Sequence, residues 1–167
     1  VLEGTYKNPQ GTSIPVRWHK WDPDKTLYRG NLDAQTVGYY WVDAKTSREQ
    51  VIHGHPRVDV DEVVFDEDDV AIAAKHQYDY PTYVPLQPDH PQVVRRQRLV
   101  AAFPGQQISV ESSTADGIEH VLRVHSDRDP GQFYLWNEYD GKSRHLMNPR
   151  PQVKPADMPQ TQAVRFK

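Results

Sequence analysis

The chain has 167 residues, of which 37% are hydrophobic and 26% are charged, and it contains no Cys. This length suits one domain, and the lack of Cys excludes disulfide scaffolds, Cys nucleophiles and Cys-ligated zinc. The net charge of −3 argues against a nucleic-acid partner, because such binders usually carry a basic surface. No membrane partner is expected either, since the apolar runs are too short to span a bilayer.

Three segments share one pattern, in which an acidic turn precedes an apolar strand. The predicted strands cover residues 25–30, 70–76 and 118–125. Within the turns, Asp24, Asp68 and Asp116 follow one another at steps of 44 and 48 residues. Asp and Gly supply the backbone geometry and the self-capping that such turns need.

A second repeat consists of an aromatic strand, a polar turn and another strand. Its two copies begin at Tyr39 and Phe133, 94 residues apart, and Asp140-Gly141 is a favoured hairpin turn. A period in the forties with several short strands per unit is typical of β-propeller blades, which stack on their neighbours. We therefore predict an all-β fold of about three antiparallel blades, a partial propeller, with a β-sandwich as the alternative.

One segment, residues 91–103, departs from the β pattern and predicts a helix of about three turns. Asp89 or His90 can cap it, Pro91 suits its first turn, and Pro104-Gly105 ends it. We expect this helix to be inserted between strands of the middle blade.

The spacing along the helix predicts one apolar face. Its expected members are Val93, Val100 and Phe103. The arginines at positions 95, 96 and 98 are interpreted as a solvated helix face rather than a phosphate site, because acidic residues outnumber basic ones in the chain.

Patterns for nucleophilic or nucleotide chemistry do not occur. Gly-x-Ser-x-Gly, the P-loop and Gly-x-Gly-x-x-Gly are all missing from the sequence. The serines are Ser13, Ser47, Ser109, Ser112, Ser113, Ser126 and Ser143. We predict no catalytic residue, no cofactor and no activity of the chain on its own.

Two groups of residues carry possible metal ligands. His53-Gly54-His55 places two imidazoles together, but no third ligand is evident nearby, so loop histidines are the preferred interpretation. The other group is acidic: Asp59, Asp61, Glu62, Asp66, Glu67, Asp68 and Asp69. It lacks the EF-hand pattern and is interpreted as solvated turn carboxylates. The polar-aromatic stretch 76–83 could line a substrate surface or pack against its own blade.

The composition of the chain changes near its end. Residues 148–159 are Pro-rich, and Thr161–Phe166 resembles the beginning of a strand. We divide the chain into partial propeller blades at 1–150 and, at 151–167, a linker with the first strand of a further domain. The opening on Val1, without Met, agrees with a piece of a longer protein.

Several of these features occur in the order found in one family. They are Phe65-Asp66-Glu67-Asp68, the helix ending at Phe103-Pro104-Gly105, the stretch 126–135, and Asn148-Pro149-Arg150-Pro151. Over roughly residues 20–167 the chain resembles the β-propeller region of bacterial serine peptidases of the prolyl oligopeptidase family, of the dipeptidyl or acylaminoacyl peptidase type.

The resemblance implies a regulatory role in proteolysis. In that family the propeller restricts peptide substrates to an α/β-hydrolase domain, whose triad would lie beyond Lys167, so no triad residue is assigned to this chain. The expected partners are that hydrolase domain, peptide substrates and a second copy of the fragment, in the bacterial cytoplasm or periplasm. The alternatives are an independent propeller-type interaction module and a carbohydrate-active enzyme that uses two carboxylates.

Overall fold

The computed structural model describes residues 6–8, 11–31 and 35–164. Most of the regular secondary structure in this part of the chain is strand, and its α-helix is α1. The elements are β1 (Tyr6–Asn8), β2 (Gly11–Trp18), β3 (Lys25–Asn31), β4 (Val37–Asp43), β5 (Glu49–His53), β6 (Val60–Phe65), β7 (Ala71–Gln77), β8 (Pro81–Pro85), α1 (Pro91–Ala102), β9 (Gln107–Ser113), β10 (Glu119–His125), β11 (Gln132–Asn137) and β12 (Lys142–Met147).

The strands form three antiparallel sheets in which neighbours follow the order of the chain. The sheets are β1 to β5, β6 to β8, and β9 to β12. This confirms the predicted all-β class and the antiparallel pairing. The strands expected after the acidic turns are β3, β7 and β10, and the predicted helix is α1.

The acidic turns share one local structure, in which the first Asp caps its own turn. Asp22 accepts a hydrogen bond from the backbone N–H of Asp24, Asp66 from that of Asp68, and Asp116 from that of Ile118. A side chain that binds the backbone two residues on stabilises a tight turn. The predicted self-capping is therefore present at all three positions.

The chain divides between Val93 and Val94 into two compact units, which are here called the N-terminal unit and the C-terminal unit. The N-terminal unit contains the first two sheets, and both contribute to its core. The buried members of that core are Leu27, Tyr39, Trp41, Val60, Val63 and Ala74. Trp41 packs edge-on against Phe65, with ring centroids 5.7 Å apart.

The C-terminal unit buries one face of its four-stranded sheet together with the end of α1. Its core consists of Leu99, Ile108, Leu122, Val124 and Trp136. On β10, alternate residues are buried, as expected for a strand with one covered face.

Two expectations for α1 need correction. The helix lies in the chain between the second and third sheets, not between strands of one sheet. Its buried residues are Val93 and Leu99, whereas Val100 is 45% exposed. Buried or half-buried positions form a stripe through 93, 96, 99 and 103, at steps of three and four residues, and one of these positions is Arg96.

The end of the described chain is irregular apart from a short 3-10 helix at Pro155–Asp157. Arg128 donates to the carbonyl oxygens of Pro155 and Ala156, and the Thr161 N–H donates to Asp127 Oδ2 at 2.7 Å. Of the strand expected at 161–166, residues 161–164 have no regular structure, and the rest lies outside the described residues.

Candidate functional site

Three imidazoles meet in the N-terminal unit. His53 ends β5, His55 lies in the loop that follows, and His76 lies on β7. The ring centroid of His76 is 4.4 Å from that of His55 and 6.3 Å from that of His53. His55 lies in a loop, as predicted, but the sequence spacing did not indicate the third imidazole, which a strand of the other sheet supplies.

Burial in this histidine cluster disfavours the charged form of His53 and of His76. His76 is only 7% exposed, and among the described residues neither its Nδ1 nor His53 Nε2 has a hydrogen-bond partner. Burial, followed by the neighbouring His76 and His55, lowers the pKa of His53. Burial, followed by His55, also lowers the pKa of His76, although Asp61 opposes the shift.

Neutral imidazoles are the form that binds metals. Within the described residues, however, no group of three or more His, Asp or Glu side chains is placed to hold a metal ion. Beside the cluster, Arg57 donates to the Tyr78 hydroxyl at 3.1 Å and lies over its ring. Of the stretch 76–83, His76 therefore packs inside its own unit, whereas Tyr80 is exposed.

The acidic cluster is not a set of solvated carboxylates throughout. Asp59 accepts the Val37 N–H at 2.8 Å, and Glu62 pairs with Lys75 at 2.8 Å. Asp69 is buried and pairs with Arg17 at 2.5 Å. The interpretation as solvated carboxylates therefore needs correction for the buried Asp69, whereas Asp59 and Glu62 bind protein donors but remain exposed.

Asp69 joins the two sheets of the N-terminal unit. Besides Arg17, it accepts a hydrogen bond from the backbone N–H of Lys20, and its own backbone is left-handed, with φ at 62°. The Arg17 guanidinium lies over the rings of Phe65 and Trp41, at 4.4 and 5.8 Å from their centroids. Burial by itself raises the pKa of Asp69, but the Lys20 N–H and Arg17 outweigh it and lower the pKa.

The C-terminal unit contains a serine, a histidine and a carboxylate in series. Ser113 Oγ lies 2.7 Å from Nδ1 of the buried His120, and His120 Nε2 lies 4.0 Å from Glu138 Oε2. Ser113 and His120 are direct cross-strand partners on β9 and β10. Sequence spacing offered no sign of this arrangement, because the pairing register creates it.

The turn that adjoins Ser113 uses several of its own N–H groups. The N–H groups of the adjoining turn are already used: those of Thr114, Gly117, Ile118 and Glu119 all donate within the turn. They are therefore not available to stabilise an oxyanion, which acyl transfer requires.

Glu138 is also committed to other partners. Arg95, Arg98 and Trp136 Nε1 contact its carboxylate at 3.4, 3.2 and 3.2 Å. The solvated-face interpretation of the α1 arginines therefore holds only in part. Arg98 is 53% exposed, but it and Arg95 bind Glu138, and Arg96 donates to the Ile108 carbonyl at 2.6 Å. The Glu138 carboxylate thus connects two arginines of α1 with Trp136 of β11.

Comparison of the chain with family models, with curated proteins and with solved structures finds no match in any of the three. Within the described residues, no helix has the length and apolar character needed to cross a bilayer.

Proposed function

We propose that the chain is a propeller-type, non-catalytic part of a serine peptidase of the prolyl oligopeptidase family, where it gates peptide access to a hydrolase domain. The observation that supports this most is the succession of three antiparallel meanders in chain order. Sheets of this kind, repeated along a chain, are the units from which propellers are built. The acidic turns capped by Asp22, Asp66 and Asp116 give each meander a related turn.

The proposal requires that no serine of this chain forms an acyl-enzyme. Ser113 is the serine on which this requirement is tested, because an imidazole lies within hydrogen-bond distance of its Oγ. The chain is incubated with a fluorophosphonate probe, alongside Ser113→Ala and an active serine hydrolase. We expect no labelling above the Ser113→Ala background, and stoichiometric labelling of the native chain that Ser113→Ala abolishes would refute the proposal.

The encoding reading frame tests the family assignment separately. A Gly-x-Ser-x-Gly motif in an α/β-hydrolase domain after Lys167 would support it. An extended frame with no such domain would instead favour an independent propeller-type interaction module.

Self-association is part of the same proposal. All six residues of the edge strand β12 are exposed, among them Leu146 and Met147. Exposed edges and apolar faces favour pairing with another chain. Light scattering at micromolar concentration should give a dimer or larger species, and a mass of 19.3 kDa unchanged on dilution would contradict this.

A further inference from the structure

An open pocket of about 240 Å³ lies in the C-terminal unit. The end of α1, the turn after it, β10, β11 and the loop between these strands form its wall. The lining residues are Ala102, Phe103, Pro104, Gln106, Val124, Asp129, Gln132 and Tyr134. Among the described lining residues only Asp129 is charged, so they contribute one negative charge and no positive one.

The Asp129 carboxylate keeps free capacity to accept hydrogen bonds. Its Oδ1 accepts the Gly131 N–H at 2.9 Å and its Oδ2 accepts Gln132 Nε2 at 2.7 Å. Each carboxylate oxygen can accept about two hydrogen bonds, so one position on each oxygen remains. The nearby Arg123 and Arg128 bind backbone carbonyl oxygens instead, and Asp129 has no ion-pair partner within the described part of the chain.

Two aromatic rings complete the pocket. The centroids of Phe103 and Tyr134 lie 5.0 Å apart with their planes at 58°, and the Tyr134 hydroxyl lies 3.4 Å from Gln132 Oε1. Aromatic faces attract cations, and a guanidinium both stacks on such rings and pairs with carboxylates through its planar fork.

From these features we infer that the pocket binds an arginine side chain of a peptide, with the guanidinium on Asp129 and against Phe103 and Tyr134. The volume equals that of about eight water molecules in the liquid. This accommodates the three-carbon stem and the guanidinium group. The inference depends on this pocket alone and holds whether or not the chain belongs to a peptidase.

The decisive comparison uses two peptides and no variant. The isotopically labelled chain is titrated with acetyl-Gly-Arg-Gly-amide and with the same peptide carrying citrulline, its neutral isostere, at pH 8, where histidines are neutral. Amide NMR signals of the non-proline residues in 102–106 and 129–134 should shift with a dissociation constant of about 1 mM or below, and the citrulline peptide should bind at least about tenfold more weakly. Equal binding of the two peptides would overturn the inference.

Variants then test the named groups. Asp129→Asn should weaken arginine binding about tenfold, and Phe103→Leu about threefold, because they remove the charge and one ring face respectively. Asp127→Asn is the matched control, since Asp127 is the neighbouring carboxylate outside the pocket. Equal loss in Asp129→Asn and Asp127→Asn, or equal shifts at the acidic turn 66–69, would mean nonspecific attraction and would refute the site.

Discussion

Replacement of Asp69 by Ala should destabilise the N-terminal unit by about 4 kcal/mol. Asp69 accepts two hydrogen bonds, from Arg17 and from the Lys20 N–H, and removing one member of a buried ion pair costs about 3–5 kcal/mol. Because the Arg17 side chain is 36% exposed, water can solvate it in the variant, and we take about 3 kcal/mol for this contribution. Placing Ala at a φ of 62° adds about 1 kcal/mol.

Matched variants separate these contributions. Asp69→Gly removes the same carboxylate without the backbone strain, so it should be about 1 kcal/mol more stable than Asp69→Ala. Asp69→Asn keeps an acceptor and tolerates the left-handed backbone, so it should lose only about 1–2 kcal/mol. Asp68→Ala, at the exposed neighbour, should change stability by less than about 0.5 kcal/mol.

The assay is urea unfolding at pH 7 followed by Trp fluorescence, with amide exchange on β7 to assign the loss to the N-terminal unit. A loss below about 1 kcal/mol for Asp69→Ala, or an equal loss for Asp68→Ala, would refute the reasoning. The pKa of Asp69 is lowered in the folded chain, so its stabilisation is present above about pH 4 and disappears as the pH falls through the folded value. The difference between wild type and Asp69→Ala should therefore shrink in acid.

Three further predictions concern other sites. The pKa values of His53 and His76 are lowered on folding, so below about pH 6.5 the unfolded chain binds more protons than the folded chain. The melting temperature should therefore fall as the pH drops below about 6.5, and replacing both histidines by Gln should flatten this pH dependence. Gly30→Ala would place its Cβ 2.8 Å from Ser13 Cα, so it should cost at least about 2 kcal/mol in urea unfolding, and a neutral result would contradict the close approach of β2 and β3. Glu138→Gln should lower the melting temperature of the C-terminal unit in calorimetry by several degrees, and an unchanged value would show that its ion pairs contribute nothing.

Local signals in the sequence predicted most of the secondary structure. The acidic turns predicted β3, β7 and β10 because Asp caps its own turn through hydrogen bonds that span only two residues. His90 and Gly105 likewise mark the ends of α1: the His90 imidazole accepts the Gln92 N–H at 3.3 Å, and Gly105 has a φ of 73°. Interactions of such short range depend only on neighbouring residues, so the local sequence pattern predicts them.

The sites could not be predicted in the same way, because each depends on strands that are distant in the chain. His76 joins His53 and His55 from another sheet, and Asp69 meets Arg17 across 52 residues. A single shift of register would turn Ser113 away from His120, since successive strand residues face opposite sides.

The sequence by itself determined the strand class, the turns, the helix and the absence of a nucleophile elbow, because propensity and turn chemistry act between near neighbours. Only the tertiary structure decided which charges are buried and which groups meet. It placed Asp69 inside the fold and brought Arg95 and Arg98 to Glu138, although the sequence pattern had indicated solvated side chains. Burial and ion pairing depend on strand register and on the packing of the sheets, and neither can be predicted from composition or from local sequence patterns.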